Sequence, residues 1–567
     1  MRWRSALETP STILPGVSRL VGYLPAVGLA GQFLYHLVRH SRAYLGLFAD
    51  DFFYYAIIAD KFVRFGKLTF DGITSTNGFH PLWFLVLVGV RFFCGPLGTA
   101  FFACVAAILI ALLVATYEAF RVFARALGAP SAIGAPIAAF ATAAASPFFV
   151  SGMEVAIAIP LYTLFLTEVA RADALGGSET QVAPSRSALR AAAKLGLLAS
   201  LAILGRVDLA LAVALVIAWW LVAVRPRLAS AVPLLAAFGA GGIAVPIYFA
   251  FNKVAFSGFL PGSALAKELR TSAGLSINVL RVAIGVYGKP TLTLLLIAIV
   301  GLLVIARRAS PTRAGASVAS GVALVFPFAF TILNALVSDW FFFPWYAYPM
   351  PTAVVAAGVV LWRWAEPLLR EPQRPALAAI ALAVAACVLV PAGVLSDFLK
   401  HGPGWLTEDN TLLSMALELK ERLGDRTGTF AMGDKAGITT LVLGQPVVQL
   451  EGLVADGRLR EHIRNQDSLG QVIDEYGIDY LIVSLVRPSG LEHPEAGCYE
   501  VVSPNPLQAG ERSARMSGRI CAPPVVHFFT MGGPHRWSGF LPLETFVFDL
   551  RGDRRRALVT GTKALAH

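Results

Sequence analysis

Residues 50–88 read DDFFYYAIIADKFVRFGKLTFDGITSTNGFHPLWFLVLV, and the fold turns on this stretch. Two adjacent carboxylates, Asp50 and Asp51, stand directly after the first apolar run, and a new apolar run opens at His80-Pro81. Ionised carboxylates at a hydrocarbon boundary are costly unless they face water, a cation or a reacting group. The pair therefore marks a wet membrane edge and a candidate site. One of the two can instead act as N-cap to FFYYAIIADKFVRFG, which has the pattern of an amphipathic helix lying on the membrane, leaving the other for chemistry. TSTNG is a turn signal, and His80-Pro81 starts the next helix. Asn77 and His80 can hydrogen-bond a polar substrate or be satisfied within the loop.

The surrounding chain has the composition of a membrane protein. Of 567 residues, 56% are hydrophobic and 15% charged, and the mean hydropathy is +0.65, which excludes a soluble domain of this length. Long apolar runs recur to about residue 397. Mixed charge and turn residues then take over, as in TEDNTLLSMALELKERLGDRTGTFAMGDKAG. An α-helical polytopic domain is expected over 1–397 and a mixed α/β soluble domain over 398–567.

The net charge of +11 is uneven: residues 398–567 hold 18 basic and 20 acidic side chains, residues 1–397 hold 29 and 16. The excess sits in membrane loops, where it reports orientation and attraction to membrane lipids, and nucleic acid is excluded as a partner. Met1–Pro15 lacks the pattern of a cleaved signal, so the first apolar segment is expected to stay as an anchor.

Orientation follows from the basic clusters at Arg121/Arg125, Arg171 to Lys194, Arg225/Arg227, Arg307 to Arg313 and Arg363 to Arg374, placed on the cytoplasmic side. The Asp-Asp loop, SGMEV, GRVDLA, FNKVAFSGFLPGSALAKELR, SDWFFFPWYAYP and the C-terminal domain then share the outer face. This alternation requires PLWFLVLVGVRFFCG to be re-entrant or interfacial, which leaves about eleven true spans. Cys94, Cys104 and Cys387, in apolar helices, are expected to be free thiols. Cys498 and Cys521 follow residue 398 and are expected to form a disulfide in an oxidising compartment. No zinc-type spacing occurs, and a divalent metal at the Asp50/Asp51 pair is left open.

Read together, DDFFYY…FG.LTFDGITSTNGFHPLW, SGMEVAIAIPLY, GRVDLAL, FNKVAFSGFLPGSALAK and WYAYPMP resemble, in order along the whole chain, the GT-C superfamily of integral membrane glycosyltransferases. The likeness is greatest to the branch with the arabinofuranosyltransferases of cell-wall arabinan. It implies transfer of a sugar from a polyprenyl-phosphate donor to an envelope glycan or lipid acceptor, outside the bacterial cytoplasmic membrane, with an acidic residue after the first span as the catalytic element.

A departing polyprenyl phosphate needs little more than a base on the acceptor hydroxyl and positive groups at the phosphate. Asp50 or Asp51 suits the first task, with Asp50 in the family's position. Lys267, Arg270 and Lys253, basic residues on the outer side, suit the second. Arg206 and Asp208 match an Arg-Pro-Asp type motif in which Val207 replaces the proline; Arg206 serves the donor and Asp208 the acceptor or the structure, or the two form an internal ion pair. Glu154 matches the acid of a Gly-Met-Glu motif and positions an acceptor or binds a neighbouring loop. Trp345, Tyr346 and Tyr348 suit stacking on a sugar or prenyl chain, or form an aromatic belt. The GLV.D segment at 452–456 covers the cavity, binds the acceptor or is structural support. Two other classes stay open: a lipid-linked-sugar flippase or transporter, although internal repeats and paired broken helices are not found, and a non-catalytic sugar-binding membrane protein.

Overall fold

The computed structural model describes residues 10–39, 43–172, 184–224, 228–269, 274–308, 314–365, 411–486, 499–503, 516–531 and 542–551. Helix α1 (Pro10–Arg39) leads through a 3-10 turn (Ala43–Leu47) into α2 (Asp50–Phe65), followed by α3 (Pro81–Cys94), α4 (Thr99–Ala126), α5 (Ser131–Val150), α6 (Val155–Arg171), α7 (Arg186–Gly205) and α8 (Leu209–Val224). Then come α9 (Leu228–Gly241), α10 (Ala244–Phe256), the short α11 (Gly262–Lys267), α12 (Ile277–Tyr287), α13 (Lys289–Arg308), α14 (Ala314–Val337) and α15 (Met350–Ala365). In α4 the buried Phe102, Val105, Leu109, Leu113, Tyr117, Phe120 and Ala124 recur at three- and four-residue steps, and this stripe packs on α5, α6 and α1.

Among the described residues five helices are long and apolar enough to cross a membrane, or seven if each of two bent pairs is one span. The expected count of about eleven is not reached among them; the apolar run before residue 397 and the expected 397/398 domain boundary lie outside the described residues. The bent pairs are Ala231–Gly241 with Ala244–Phe256, at 58°, and Ile277–Tyr287 with Thr291–Val300, at 93°. The sequence showed no sign of paired broken helices; the structure has two bent helix pairs, each a broken span or a re-entrant loop.

Helix α3 is about 21 Å long at 1.5 Å per residue, too short to cross. Arg91 Nε donates to Asp60 Oδ1 at 2.5 Å, pinning α3 to α2. Cys94 and Cys104 are joined as a disulfide, which corrects the expectation of free thiols. The Gly95-Pro96 turn brings the end of α3 back beside the start of α4, a juxtaposition that apolar composition does not encode. Helix α2 also departs from a surface-lying helix. Phe52 to Asp60 are all buried, and exposure begins only in its last turns.

The C-terminal part has the expected mixed α/β composition. It comprises α16 (Thr411–Leu423), β1 (Phe430–Met432), α17 (Ala436–Leu443), β2 (Val447–Gln449), α18 (Gly457–Asn465), α19 (Leu469–Glu475) and β3 (Tyr480–Val486). After these come β4 (Tyr499–Ser503), β5 (Met516–Ile520), β6 (Val526–Thr530) and β7 (Leu543–Asp549). The sheet order is β2-β1-β3-β7-β6, with β1, β2 and β3 parallel and β7 antiparallel to both its neighbours; β4 and β5 pair separately. Strand β3 alternates between two cores, as a period of two requires. Tyr480 and Ile482 join the core that also holds Phe52, Trp83 and the membrane helices, whereas Leu481 and Val483 join a second core with Val448, Leu459 and Ile473. One face of the sheet is thus continuous with the packing of the helical domain.

Of the cysteines after residue 398, Cys498 lies outside the described residues. Cys521 is disulfide-bonded.

Candidate functional site

The site forms where α2, the SGMEV turn, the α7–α8 junction, α11 and the PWYAY turn converge beneath two loops of the C-terminal domain. Ala49 N–H donates to the Ser151 carbonyl at 3.0 Å, fastening the entry of α2 to the turn that presents Glu154.

Five side chains make a buried ion network. The Arg206 guanidinium binds Glu154 through Nη1 and forks onto Asp208, with Nη2 2.7 Å from Oδ2 and Nε 3.2 Å from Oδ1. Tyr348 Oη donates to Asp208 Oδ1 at 3.0 Å and Tyr55 Oη donates to Glu154 Oε2 at 3.0 Å. The guanidinium carbon also lies 4.7 Å from the Tyr348 ring centroid and 5.8 Å from that of Tyr346. Burial pushes the Asp208 carboxyl up, but Arg206 and the Tyr348 hydroxyl outweigh it and hold it below its ordinary value. The Val207 that replaces proline leaves both charges in place.

The adjacent aspartates divide. Ala49, with no side-chain acceptor, is the N-cap of α2, so neither aspartate caps its own helix. The Asp50 carboxylate instead crosses to the C-terminal domain and accepts from Ile438 N–H at 2.8 Å and Gly437 N–H at 3.1 Å, the first turn of α17. Asp50 supplies the cap that Lys435, in the left-handed conformation at φ 71°, does not. Asp51 accepts no hydrogen bond from the described residues. Removal from water pushes its pKa up to about 7, against the pull of Lys267 and reinforced by the negative charges of Asp50, Asp434 and Glu154. Asp50 rises to about 6, again through burial first and Asp434 second, despite its two backbone donors.

Lys267 is the cation that faces Asp51. Its Nζ stands 5.2 Å from the Tyr346 ring centroid. Burial pulls its pKa down, but Tyr346 and Asp51 reverse this, so the ammonium stays charged. Asn77 anchors α11 from the other side: its Oδ1 accepts from Gly262 N–H at 3.0 Å and its Nδ2 donates to the Leu260 carbonyl at 3.3 Å. His80 Nε2 lies 3.8 Å from Glu154 Oε1, and its buried Nδ1 has no partner among the described residues. Burial lowers the imidazole to about 4, so it is neutral at pH 7.

The remaining expected residues fall elsewhere. Lys253 is exposed, with Nζ donating to the Ser257 carbonyl at 3.3 Å, and it stays at the end of its own helix. Arg270 lies outside the described residues. Trp345 stacks on Phe343, centroids 4.5 Å apart, while Tyr346 and Tyr348 turn to the cations. Asp456 of the GLV.D segment caps α18 through Leu459 N–H at 3.0 Å. Among the described residues no three of His, Cys, Asp and Glu converge as a metal site.

Sequence reasoning missed Tyr55 and the acids Asp434 and Glu451 of the C-terminal domain, which bear electrostatically on Tyr54 together with Asp50 and Asp51. Tyr55 stands four residues after Asp51, one helical turn on, which was a usable signal. Asp434 and Glu451 carried none. An apolar cavity lined by Val169, Leu195, Trp220, Phe238 and Val318 lies away from this chemistry: Val169 is about 22 Å along α6 from Glu154.

No family model matches the sequence, and no curated protein does. Solved structures do match. The oligosaccharyltransferase of Archaeoglobus fulgidus, tethered with an acceptor peptide, aligns with a TM-score of 0.53 at 12% identity, over 83% of this chain and 69% of that one. Its apo form gives 0.50 at the same identity and coverage. ArnT from Cupriavidus metallidurans, bound to undecaprenyl phosphate, gives 0.48 at 15% identity over 90% of this chain and 98% of that one. The chain thus shares the fold of the Archaeoglobus fulgidus oligosaccharyltransferase.

Proposed function

We propose that the protein transfers a sugar from a polyprenyl-phosphate donor to a hydroxyl of a glycan or lipid acceptor. Asp51 takes the acceptor proton, and the acceptor oxygen attacks the anomeric carbon as its bond to the phosphate oxygen breaks. Polyprenyl phosphate leaves with the electron pair, its charge met by Lys267. Tyr346 orients the lysine, and the Arg206 network fixes Glu154, Asp208 and Tyr348 as the floor. A base with a pKa near 7 is half ionised at neutral pH, the balance that general-base catalysis favours.

The observation that carries this reading is the state of Asp51, a carboxylate with no hydrogen-bond donor among the described residues, beside a charged lysine. The fold of an oligosaccharyltransferase supports it. The finer reading, from the sequence resemblance, is arabinofuranosyl transfer in cell-envelope synthesis, at the outer face of a bacterial cytoplasmic membrane.

The two bent helix pairs favour a second reading, a flippase for the same lipid-linked sugar. One assay separates them: purified protein is given labelled polyprenyl-phosphate sugar and acceptor. A transferase releases polyprenyl phosphate and labels the acceptor, whereas a flippase leaves the donor intact. Intact donor under all acceptors would reject the transferase.

A further inference from the structure

The C-terminal domain touches the chain beside each member of the Asp51–Lys267 pair, through separate contacts. On the α2 side, Asp50 caps α17, and the fit is close: a methyl added to Gly437 would overlap the Asp50 carbonyl. At the NGFH loop, a methyl on Gly78 would overlap the Leu453 carbonyl. On the α11 side, Leu269, two residues beyond Lys267, is buried in the C-terminal domain's second core with Ala455, Leu459 and Ile463. The buried Arg460, held by the Ala455 carbonyl at 2.8 Å, fills the space above Gly262. Helices α2 and α11 are far apart in sequence, and each is fastened to this one domain.

From this arrangement we infer that the C-terminal domain is a brace that sets Asp51 against Lys267, and that Asp50 is a positioning residue acting through α17 rather than a base. Both Asp50 oxygens are already occupied by backbone N–H groups, so an acceptor hydroxyl would have to displace a helix cap to reach either. Asp51, one residue on, is rotated by about 100° around α2 and is free of that duty. The inference about Asp50 in catalysis rests on the transferase reading; the brace itself does not.

Asparagine caps helices about as well as aspartate but is not a base, so Asp50→Asn separates the two roles. Asp50→Asn is expected to keep kcat within about threefold of the parent, since its one amide oxygen still accepts from the first turn of α17, as an asparagine N-cap does. Asp50→Ala removes the cap and is expected to lower kcat by about tenfold or more, with donor KM little changed, because misplacing a reacting group penalises the chemical step. Gly437→Ala, which pushes α17 off Asp50, should reproduce the Asp50→Ala kinetics. An Asp50→Asn enzyme as inactive as Asp51→Asn, or an Asp50→Ala enzyme as active as the parent, would overturn the assignment.

Hydrogen exchange on the full-length protein in detergent reads the brace without any assay of transfer. The Gly437 and Ile438 amides should exchange faster in Asp50→Ala and be unchanged in Asp51→Asn. Unchanged exchange in Asp50→Ala would refute the brace even if transfer is confirmed. Faster exchange in a protein that transfers no sugar would leave the brace standing and remove the transferase reading.

Discussion

Two charged clusters lie side by side in this protein, and they are built on opposite plans. Around Arg206 the buried charges are answered: Glu154 by the guanidinium and Tyr55, Asp208 by the same guanidinium and Tyr348. Around Asp51 the demand is left open, with a lysine close enough to act electrostatically but no donor on the carboxylate among the described residues. A saturated network resists change because removing one partner strands the others. An unsaturated pair holds its capacity for a ligand. On the function proposed above the first cluster is architecture and the second chemistry, and each substitution below tests that division.

Asp51→Asn should produce the largest effect, a loss of transfer of about 10²- to 10⁴-fold, the usual range for a removed general base. Release of polyprenyl phosphate from labelled donor measures it. Near-parental turnover would break the comparison at its centre.

In the other cluster, Arg206→Met should damage the fold more than any single step of the reaction. It leaves Glu154 and Asp208 buried without their cation, a loss of about 3–5 kcal/mol where one partner of a buried ion pair is removed. A thermal melt in detergent should show it as a sharp drop in Tm. A Tm equal to the parent's would mean that the network is not structural.

The pH profile sharpens the open pair. A base with its pKa near 7 gives transfer that rises through neutral pH and reaches a plateau above about pH 8. Lys267 lowers the Asp51 pKa, so Lys267→Ala should move this acid limb to higher pH and also raise donor KM. A limb that stays in place would uncouple the two residues. Stability runs the other way. The Asp51 carboxyl is raised on folding, so its contribution is present below the ordinary carboxylate value near 4 and is lost as pH rises through about 7. Asp51→Asn should therefore melt above the parent at pH 8, with the gap closing by pH 4.

Lys253→Ala should give the smallest effect, with donor KM unchanged, because the exposed ammonium closes off its own helix at the Ser257 carbonyl and lies over the Phe259 ring. A KM rise equal to that of Lys267→Ala would place Lys253 back among the groups that meet the donor.

The sequence alone was enough for the long apolar helices, the mixed α/β composition of the C-terminal part, and the helix start at Pro81, because each depends on composition or on local backbone preference. It also singled out Asp50, Asp51, Glu154, Arg206, Asp208 and Lys267, since charge at an apolar edge is conspicuous in one dimension. Only the tertiary structure separated Asp50 from Asp51. Adjacent residues share composition, hydropathy and helix position; what distinguishes them is that α17, 387 positions further along, has N–H groups without an intrahelical partner and aims them at one carboxylate. The same holds for Cys94 and Cys104, for Asn77 on α11 and for Leu269 in the second core. Each role depends on a partner brought near by folding, and the energy of such a contact is a property of the distance between two side chains, which no local stretch of sequence contains.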